Sequence, residues 1–255
     1  MTTLSLPRPI ALITGASRKI GIGASIAATL AQAGWDIALT FWRPYDADMP
    51  WGNQPNDAES IRENIMRGGA RVIAIEADLS RAETPTQVFD AVEREMGAVT
   101  ALIMSHCHSV DSNILNTTIE SFDTHFAVNA KATWLLVREF GRRFHGQFGS
   151  GRILAITSDH TAGNLPYGAS KGALDRIVLA AAQEFNALGI TANVINPGAT
   201  DTGWMTDAQL EAARRGNPLG RVGMPQDCAN LVKFLCSSEG GWINAQLLYS
   251  NGGIR

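Results

Sequence analysis

Residues 10–23, which read IALITGASRKIGIG, decide the fold of this 255-residue chain. The first part, Ile10–Thr14, is an apolar run with the length of a buried strand. Three glycines follow it, and an apolar pattern with helical spacing continues as far as Gly34. This order of strand, glycine loop and helix suits a dinucleotide, because glycines let the backbone approach a pyrophosphate and a helix N-terminus offers free N–H groups. The alternative is an ordinary glycine-rich turn.

Apolar runs alternate with amphipathic helix patterns along the rest of the chain. The predicted strands are Ile10–Thr14, Ile37–Phe41, Val72–Ile75, Ala101–Met104, Ile153–Thr157, Thr191–Ile195 and Leu247–Tyr249. The predicted helices lie near residues 24–33, 57–67, 83–96, 118–143, 167–187 and 225–237. Such alternation implies right-handed crossovers and a parallel sheet covered on both faces. We therefore predict an α/β protein, a single-domain Rossmann fold over residues 1–255 with a doubly wound parallel sheet of about seven strands.

A second signal is the pair Tyr167 and Lys171, which lie four residues apart in a run with helical spacing. Residues at this spacing share one face of a helix, so the phenol and the ammonium point the same way. A free tyrosine has a pKa of about 10, and a nearby ammonium is expected to lower it. The pair is then a device for proton transfer, unless it belongs to a solvated helix face.

The glycine loop and this pair together resemble the short-chain dehydrogenase/reductase family. The family pattern is Thr-Gly-x3-Gly-x-Gly, then an Asn in a helix, a Ser, Tyr-x3-Lys and Pro-Gly-x3-Thr. The matching positions occur in the same order, from about residue 10 to residue 253: Thr14, Gly15, Asn129, Ser158, Tyr167, Lys171, Pro197, Gly198 and Thr202. The glycine loop is two residues longer than usual, which resembles bacterial members often labelled oxoacyl-carrier-protein reductases.

The resemblance implies hydride transfer between a nicotinamide cofactor and a small carbonyl or alcohol substrate, with four catalytic residues. Tyr167 would be the acid in reduction and the base in oxidation, and Lys171 would lower its pKa and hold the nicotinamide ribose. Ser158 would hydrogen-bond the substrate oxygen and stabilise charge there. Asn129 would help to anchor a water that links Lys171 to solvent. Asn129 and Ser158 have structural alternatives, as a helix polar residue and a strand-end hydroxyl.

The resemblance also implies which residues contact the cofactor. They are Gly15, Ser17, Arg18, Lys19, Gly21, Ile22, Gly23, Arg43, Asp78, Leu79, Ser105, Tyr167, Lys171, Pro197, Gly198, Thr200 and Thr202. Phe41 stands where an acid would bind the ribose of NAD, whereas Arg43, with Arg18 and Lys19, would surround a 2′-phosphate. We therefore expect NADP, with NAD as the alternative. Arg43 and Lys19 would otherwise be solvated charges, and Asp78 a helix cap.

Two segments depart from the family pattern. Residues 102–107 read LIMSHC, where the family has Asn-Asn-Ala-Gly after the fourth strand. Ser158 precedes Tyr167 by nine residues rather than about thirteen, so residues 159–166 form a shorter loop. The conformation of this loop decides whether the Ser158 hydroxyl reaches the substrate oxygen.

Two long loops are also predicted. Pro44–Asn56 is rich in Pro, Asp and Trp, and residues 200–218 correspond to a substrate lid in the family. Trp204, Met205 and Leu210 of the lid either line the pocket or pack on the body.

Composition limits the classes of partner and location. The net charge is −3 and no basic run stands out, so nucleic acid is not an expected partner. No apolar stretch has the length of a membrane span, and Met1–Pro9 lacks the regions of a signal peptide. The three cysteines cannot all pair within the chain, which is typical of a reducing cytoplasm. By resemblance we expect a homotetramer, with the helices near 118–143 and 167–187 and the segment Trp242–Arg255 at its interfaces.

Several motifs suggest other functions. Residues 168–172 fit the Gly-x-Ser-x-Gly motif of hydrolases, but Ser170 falls inside a predicted helix rather than at a strand–helix elbow. Adjacent residues cannot supply the geometry of a triad, which disfavours Ser158-Asp159-His160. His106 and His108 are an incomplete metal site, so residues 106–108 are interpreted as a loop near the cofactor and no metal is expected. Two functional alternatives remain open: an NAD(P)-dependent alcohol dehydrogenase that works oxidatively, and a non-catalytic dinucleotide-binding sensor or scaffold.

Overall fold

The computed structural model describes residues 8–52, 54 and 56–254. Within these residues, seven parallel strands form one sheet in the order β3-β2-β1-β4-β5-β6-β7. The strands are β1 Ile10–Thr14, β2 Asp36–Phe41, β3 Val72–Glu76, β4 Ala101–Met104, β5 Arg152–Ile156, β6 Thr191–Asn196 and β7 Leu247–Tyr249. The predicted sheet and its seven strands are confirmed.

Helices connect these strands and cover both faces of the sheet. They are α1 Ile22–Gln32, α2 Arg43–Ala47, α3 Asp57–Arg67, α4 Thr84–Glu95, α5 Ile119–His125, α6 Ala132–Arg143, α7 Leu165–Glu184, α8 Asp207–Gly216 and α9 Pro225–Cys236. On one face α1 packs against α3 and α9, and on the other α6 packs against α4 and α7. The predicted doubly wound arrangement is therefore confirmed.

The sheet separates two apolar cores. Leu12 and Leu102 face the core beneath α4, α6 and α7, while Ile13 and Ile103 face the core beneath α1, α3 and α9. All four side chains are completely buried. Successive residues of a strand point to opposite faces, so a parallel strand buried on both sides reads as a continuous apolar run. This is why the strands could be located from sequence.

Two strands begin at charged residues that the apolar pattern did not include. β2 begins at Asp36, whose buried carboxylate lies 2.7 Å from Nε of Arg71. β5 begins at Arg152, whose Nε donates to the carbonyl of Leu235 at 3.0 Å. Each strand extends into a charged residue because that residue finds partners at its buried position.

The helix predicted over 118–143 is interrupted. A π-helical turn, Phe126–Lys131, separates α5 from α6 and carries Asn129. π-Helical turns of this kind are frequent at functional sites, because they displace backbone carbonyls from the regular helical ladder.

The two long loops contain helices as well: α2 opens the segment after β2, and α8 lies within residues 200–218.

The chain order of the strands creates a crevice at the carboxyl edge of the sheet. β2 lies on one side of β1 and β4 lies on the other, so the chain changes direction at β1. In open α/β sheets, ligands bind at such a switch point. Among the described residues, no helix combines the length and apolar character that crossing a bilayer requires.

Candidate active site

The glycine loop leaves β1 at this switch point. Gly15 has φ +76°, and a Cβ at this position would lie 2.5 Å from Cα of His106. Only glycine allows both this conformation and this close approach to the loop after β4. α1 then begins at Ile22, after Gly21, and no side chain caps its first turn. Its first N–H groups are therefore available to an anion.

A pocket of about 370 Å³ extends from the glycine loop towards the loop after β4. Nine of the residues predicted to contact the cofactor line it: Gly15, Ser17, Arg18, Gly21, Ile22, Asp78, Leu79, Ser105 and Thr202. The same pocket is also lined by residues outside the predicted set of cofactor contacts. They include Tyr45, Asp46, Trp51, Cys107 and His108. The pocket therefore lies where the dinucleotide is predicted to bind. The segment after β2 and the loop after β4 form a further wall of it.

Two predicted phosphate-binding residues do not line this pocket. Lys19 Nζ lies 3.2 Å from Asp57, and Arg43 lies 3.3 Å from Glu76 with its guanidinium over the ring of Phe41. Of the three predicted cations, Arg18 alone is among the lining residues.

The remaining cofactor-site predictions lie nearby. Gly23 packs against the backbone of Gly15 and is not among the residues that line the pocket. Pro197, Gly198 and Thr200 follow β6 at the carboxyl edge, where the Thr200 hydroxyl lies 3.2 Å from the carbonyl of Gly198.

Tyr167 and Lys171 lie in the first turns of α7, on one face of the helix. Pro166 suits the first turn, because its missing N–H would have no partner there. Lys171 is buried, with Nζ 5.7 Å from the centroid of the Tyr167 ring. Its ammonium donates to the carbonyl of Ile156, at the end of β5, over 2.8 Å. The end of the central sheet thus fixes the position of the charge.

The pKa of Tyr167 differs in direction from the sequence-based expectation. Burial raises it above the ordinary value of 10.0, and the negative charge that Cys107 carries when ionised adds to the rise. Burial also lowers the pKa of Lys171, with opposing effects from Cys107 and Asp175. The expected lowering by Lys171 is absent because desolvation of the phenolate dominates. The chain therefore holds Tyr167 as a protonated acid at neutral pH.

Ser158 lies beside Tyr167 despite the short loop between them. Its hydroxyl lowers the pKa of Tyr167, and it accepts a hydrogen bond from the backbone N–H of His160 at 3.2 Å. The loop can be short because α7 begins at Leu165, two residues before Tyr167. The structure thus brings together three of the four predicted catalytic side chains.

Asn129, the fourth, is completely buried in the π-helical turn. Its Oδ1 accepts from the N–H of His108 at 2.7 Å, and its Nδ2 donates to the carbonyl of His108 and to Ser170 Oγ, both at 2.9 Å. Its side chain therefore fixes the loop after β4 against α7. In this role Asn129 connects the two segments that carry Cys107 and Tyr167.

His106 occupies the part of the loop that departs from the family pattern. Its Nδ1 lies 2.6 Å from the Thr14 hydroxyl, and its Nε2 lies 3.1 Å from the carbonyl of Val128. Because a carbonyl only accepts, Nε2 carries the proton and Nδ1 accepts from Thr14. Burial, with a smaller effect of Lys171, lowers the pKa of His106 from 6.5 to about 3. The neutral ring joins β1, β4 and the turn that carries Asn129.

Replacing His106 with alanine is expected to destabilise the protein by about 2–4 kcal/mol, because two buried polar partners lose their hydrogen bonds. The unfolded His106 binds a proton below about pH 6.5, whereas the folded ring stays neutral down to about pH 3. Wild-type stability should therefore fall as the pH falls through this window, and H106A should show a shallower fall. Urea unfolding across pH measures both effects.

The matched control for this prediction is H145A. His145 is exposed, and its Nδ1 contacts only the backbone of Arg143. An exposed substitution of this kind is expected to change stability by less than about 0.5 kcal/mol. Equal unfolding free energies for H106A and wild type would contradict the bridging role.

The other two residues of the loop face the pocket. Cys107 is a free, partly exposed thiol whose pKa is raised by burial. The His108 ring lies 5.3 Å from Tyr45 and edge-on to His125 at 4.6 Å, and burial lowers its pKa to about 4. The loop that carries Cys107 and His108 was expected near the cofactor, whereas Tyr45 was missed, although the long segment after β2 was visible in the sequence.

The alternative motifs have structural explanations. Ser170 is buried inside α7, where its hydroxyl donates to the carbonyl of Tyr167 at 2.8 Å. His160, by contrast, is exposed. In the part of the chain that the structure describes, no three His, Cys, Asp or Glu side chains gather as metal ligands would.

The three residues singled out in the predicted lid lie in different places. Trp204 lines the pocket and is partly exposed, whereas Leu210 contributes to a separate surface depression beside α8. Met205 is absent from the lining of both.

Comparisons with known proteins agree with this geometry. A family model described as enoyl-(acyl carrier protein) reductase matches residues 15–255. An uncharacterized oxidoreductase, YjdA, from Bacillus subtilis is 38% identical over 250 residues, which cover 96% of each chain. An NADPH-dependent aldehyde reductase-like protein from Arabidopsis thaliana is 34% identical, covering 98% of this chain and 95% of the relative. A crystal structure of a short chain dehydrogenase from Burkholderia cenocepacia in complex with NADP superimposes with TM-score 0.87 at 30% identity, covering 98% of both chains.

Proposed function

The chain belongs to the short-chain dehydrogenase/reductase family, and from that membership we propose that it is an NADP(H)-dependent oxidoreductase that interconverts a carbonyl and a secondary alcohol. The observation that carries the proposal is the meeting of Tyr167, Ser158 and Lys171 near Cys107, which lines the pocket that begins at the glycine loop; the three residues themselves are not part of its lining. A dinucleotide fits the residues present, because α1 offers an uncapped N-terminus and Arg18 supplies a cation inside the pocket. When bound, the nicotinamide supplies the hydride.

In the proposed reaction the chain supplies the proton and the charge stabilisation. Tyr167 donates its phenolic proton to the substrate oxygen, and Ser158 donates a hydrogen bond to the same oxygen as negative charge develops. The buried ammonium of Lys171 then stabilises the phenolate that remains. The raised pKa of Tyr167 keeps the proton available at neutral pH, which supports reduction over the oxidative alternative.

We further propose that NADP(H) is preferred over NAD(H) and that Arg18 contacts the 2′-phosphate, which NAD(H) lacks. Arg18 lies in the pocket, with its guanidinium 4.5 Å from the centroid of the Trp51 ring. The remaining cofactor contacts are those proposed from sequence that line the pocket, together with Tyr167 and Lys171. A relative named as NADPH-dependent and a solved relative in complex with NADP support this preference.

R18A is expected to raise the KM for NADPH by roughly tenfold to a hundredfold, because a charge-assisted hydrogen bond is lost. The KM for NADH should change much less. R43A is the matched control, since Arg43 pairs with Glu76 outside the pocket lining and its loss should have a small effect. A larger effect of R43A than of R18A on NADPH would reverse the assignment.

The finer parts of the proposal concern the substrate and the assembly. We propose a 3-oxoacyl thioester as the carbonyl substrate because the longer glycine loop resembles that of oxoacyl-carrier-protein reductases; the description of the family model names a reductase of another acyl-carrier-protein thioester. We propose that the chain acts as one domain with a lid around residues 200–218, as a cytoplasmic homotetramer without nucleic-acid or membrane partners. Light scattering measures the assembly.

The decisive experiment is oxidation of NADPH or NADH in the presence of ketones, aldehydes, quinones and 3-oxoacyl thioesters. Turnover with NADPH and a thioester is the expected result. Turnover with NADP⁺ and alcohols alone would favour the oxidative dehydrogenase. Tight NADPH binding without turnover of any carbonyl would favour the non-catalytic sensor or scaffold.

A further inference from the structure

The segment between β2 and α3 lies across one side of the pocket. We call residues 43–52 the strap; it contains α2, and Tyr45, Asp46 and Trp51 are among its pocket-lining residues. Tyr45 fastens the strap to the loop after β4. Its hydroxyl accepts from the N–H of Ser109 and donates to the carbonyl of Ser109, both at 3.2 Å. The strap thus spans from the end of β2 to the loop that carries Cys107 and His108.

Trp51 connects the strap to two other segments. Its indole N–H donates to the buried carboxylate of Asp46 at 2.9 Å, which fixes the ring within the strap. The guanidinium of Arg18 lies 4.5 Å from the centroid of this ring. The ring also stacks on Trp204 of the lid, with centroids 5.0 Å apart and planes 18° from parallel.

The lid also comes close to the glycine loop. A Cβ at Gly203 would lie 3.1 Å from Nη2 of Arg18 and 2.9 Å from Cδ1 of Ile20. Gly203 has φ +76°, a conformation that favours glycine. The glycine loop, the strap and the lid therefore meet at one place beside the pocket.

The stacked rings of Trp51 and Trp204 belong to two different walls of the pocket. Trp51 and Trp204 come from segments about 150 residues apart in sequence and both line the pocket. Their stack therefore joins two walls that are otherwise separate loops. Ring stacking contributes a modest free energy, so thermal motion can separate the rings without unfolding the protein.

We propose that Trp51 and Trp204 form a latch that holds the strap and the lid closed over the dinucleotide and thereby limits the rate at which the cofactor leaves. The proposal rests on the proposed function, because it requires a dinucleotide in this pocket. Arg18 links the latch to the cofactor, since its guanidinium lies over the Trp51 ring and close to the lid at Gly203. Asp46 and Tyr45 position the strap, and they do not need to touch the cofactor.

The test is the rate of NADPH release, followed by the fluorescence of the nucleotide itself after mixing the complex with excess NADP⁺. W51A and W204A are each expected to release NADPH on the order of tenfold faster than wild type, because either one removes the stack. The double variant W51A/W204A should release it no faster than the single variants, since the latch is already open. W51F keeps a ring at the strap and should lie between wild type and W51A.

W134A is the matched control, because Trp134 also carries an arginine over its ring, Arg138 at 5.1 Å, but lies on α6 outside the pocket lining. Light scattering and an unfolding curve verify each variant. Unchanged release in W51A and W204A, or effects that add in the double variant, would overturn the latch. Failure of the wild type to bind NADPH would instead contradict the proposed function, and the latch with it.

Discussion

Replacing Tyr167 with phenylalanine is expected to reduce turnover by roughly 10²- to 10⁴-fold, because the reaction loses its general acid. The change removes one oxygen from a side chain in the first turn of α7 and leaves the packing of the ring unaltered. NADPH affinity should therefore remain close to that of wild type. Steady-state kinetics with the best carbonyl substrate measures the first effect, and titration of nucleotide fluorescence measures the second.

The control for this prediction is Y249F, because Tyr249 is an exposed residue of β7 far along the sheet from β1 and β4. Y249F should keep wild-type kinetics. Substantial residual turnover in Y167F would show that another group donates the proton, and the Ser158 hydroxyl would then be the first to replace.

The pH dependence follows from the state of the same phenol. Reduction needs the protonated form, and burial raises the pKa of Tyr167 above its ordinary value. The reductive rate of the wild type should therefore persist through neutral and mildly alkaline pH and fall only as the phenol deprotonates. Oxidation needs the phenolate, so its rate should rise with pH over the same alkaline range.

The sequence was sufficient to predict the sheet because parallel strands buried on both faces carry a strong local signal. Residues such as Leu12 and Ile13 are both apolar although they face opposite cores. The same signal failed at Asp36 and Arg152, where a charge is buried. Their partners, Arg71 and the carbonyl of Leu235, lie far along the chain and give no local pattern.

The candidate site was predictable where one motif carries the geometry, as in the glycine loop and the i, i+4 pair of α7. It was not predictable where function depends on contacts between distant loops. His106 forms a hydrogen bond with Thr14, which lies 92 positions away in sequence. Trp51 stacks on Trp204 across an even longer separation. The composition of the segment after β2, rich in Pro, Asp and Trp, indicated a long loop but not which residues this loop contacts.

The direction of the Tyr167 pKa shift could not be read from spacing either. Two residues four apart on a helix share a face, but their distance from solvent depends on every segment packed around them. Here Lys171 turns towards Ile156 at the end of β5, and the phenol lies in a site that also buries the thiol of Cys107. Removal of water from the phenol therefore decides the direction of its pKa shift.

Replacing Lys171 with methionine is expected to lower turnover by roughly 10²- to 10³-fold, because the phenolate left after proton transfer loses the charge that stabilises it. Methionine keeps the length of the side chain in a position that is 2% exposed, so the fold should survive although the hydrogen bond to Ile156 is lost. Steady-state kinetics gives the loss, and circular dichroism verifies α7.

K131M provides the matched control, since Lys131 ends the neighbouring π-helical turn with an exposed side chain. It should leave turnover unchanged. The outcome for K171M also distinguishes two roles of the buried Lys171 ammonium: stabilising the Tyr167 phenolate and holding the cofactor. If K171M binds NADPH normally but loses turnover, the ammonium acts on Tyr167. If it loses NADPH binding while turnover at saturating cofactor persists, Lys171 serves chiefly to hold the cofactor, and the negative charge on Tyr167 must be stabilised from the side of Ser158.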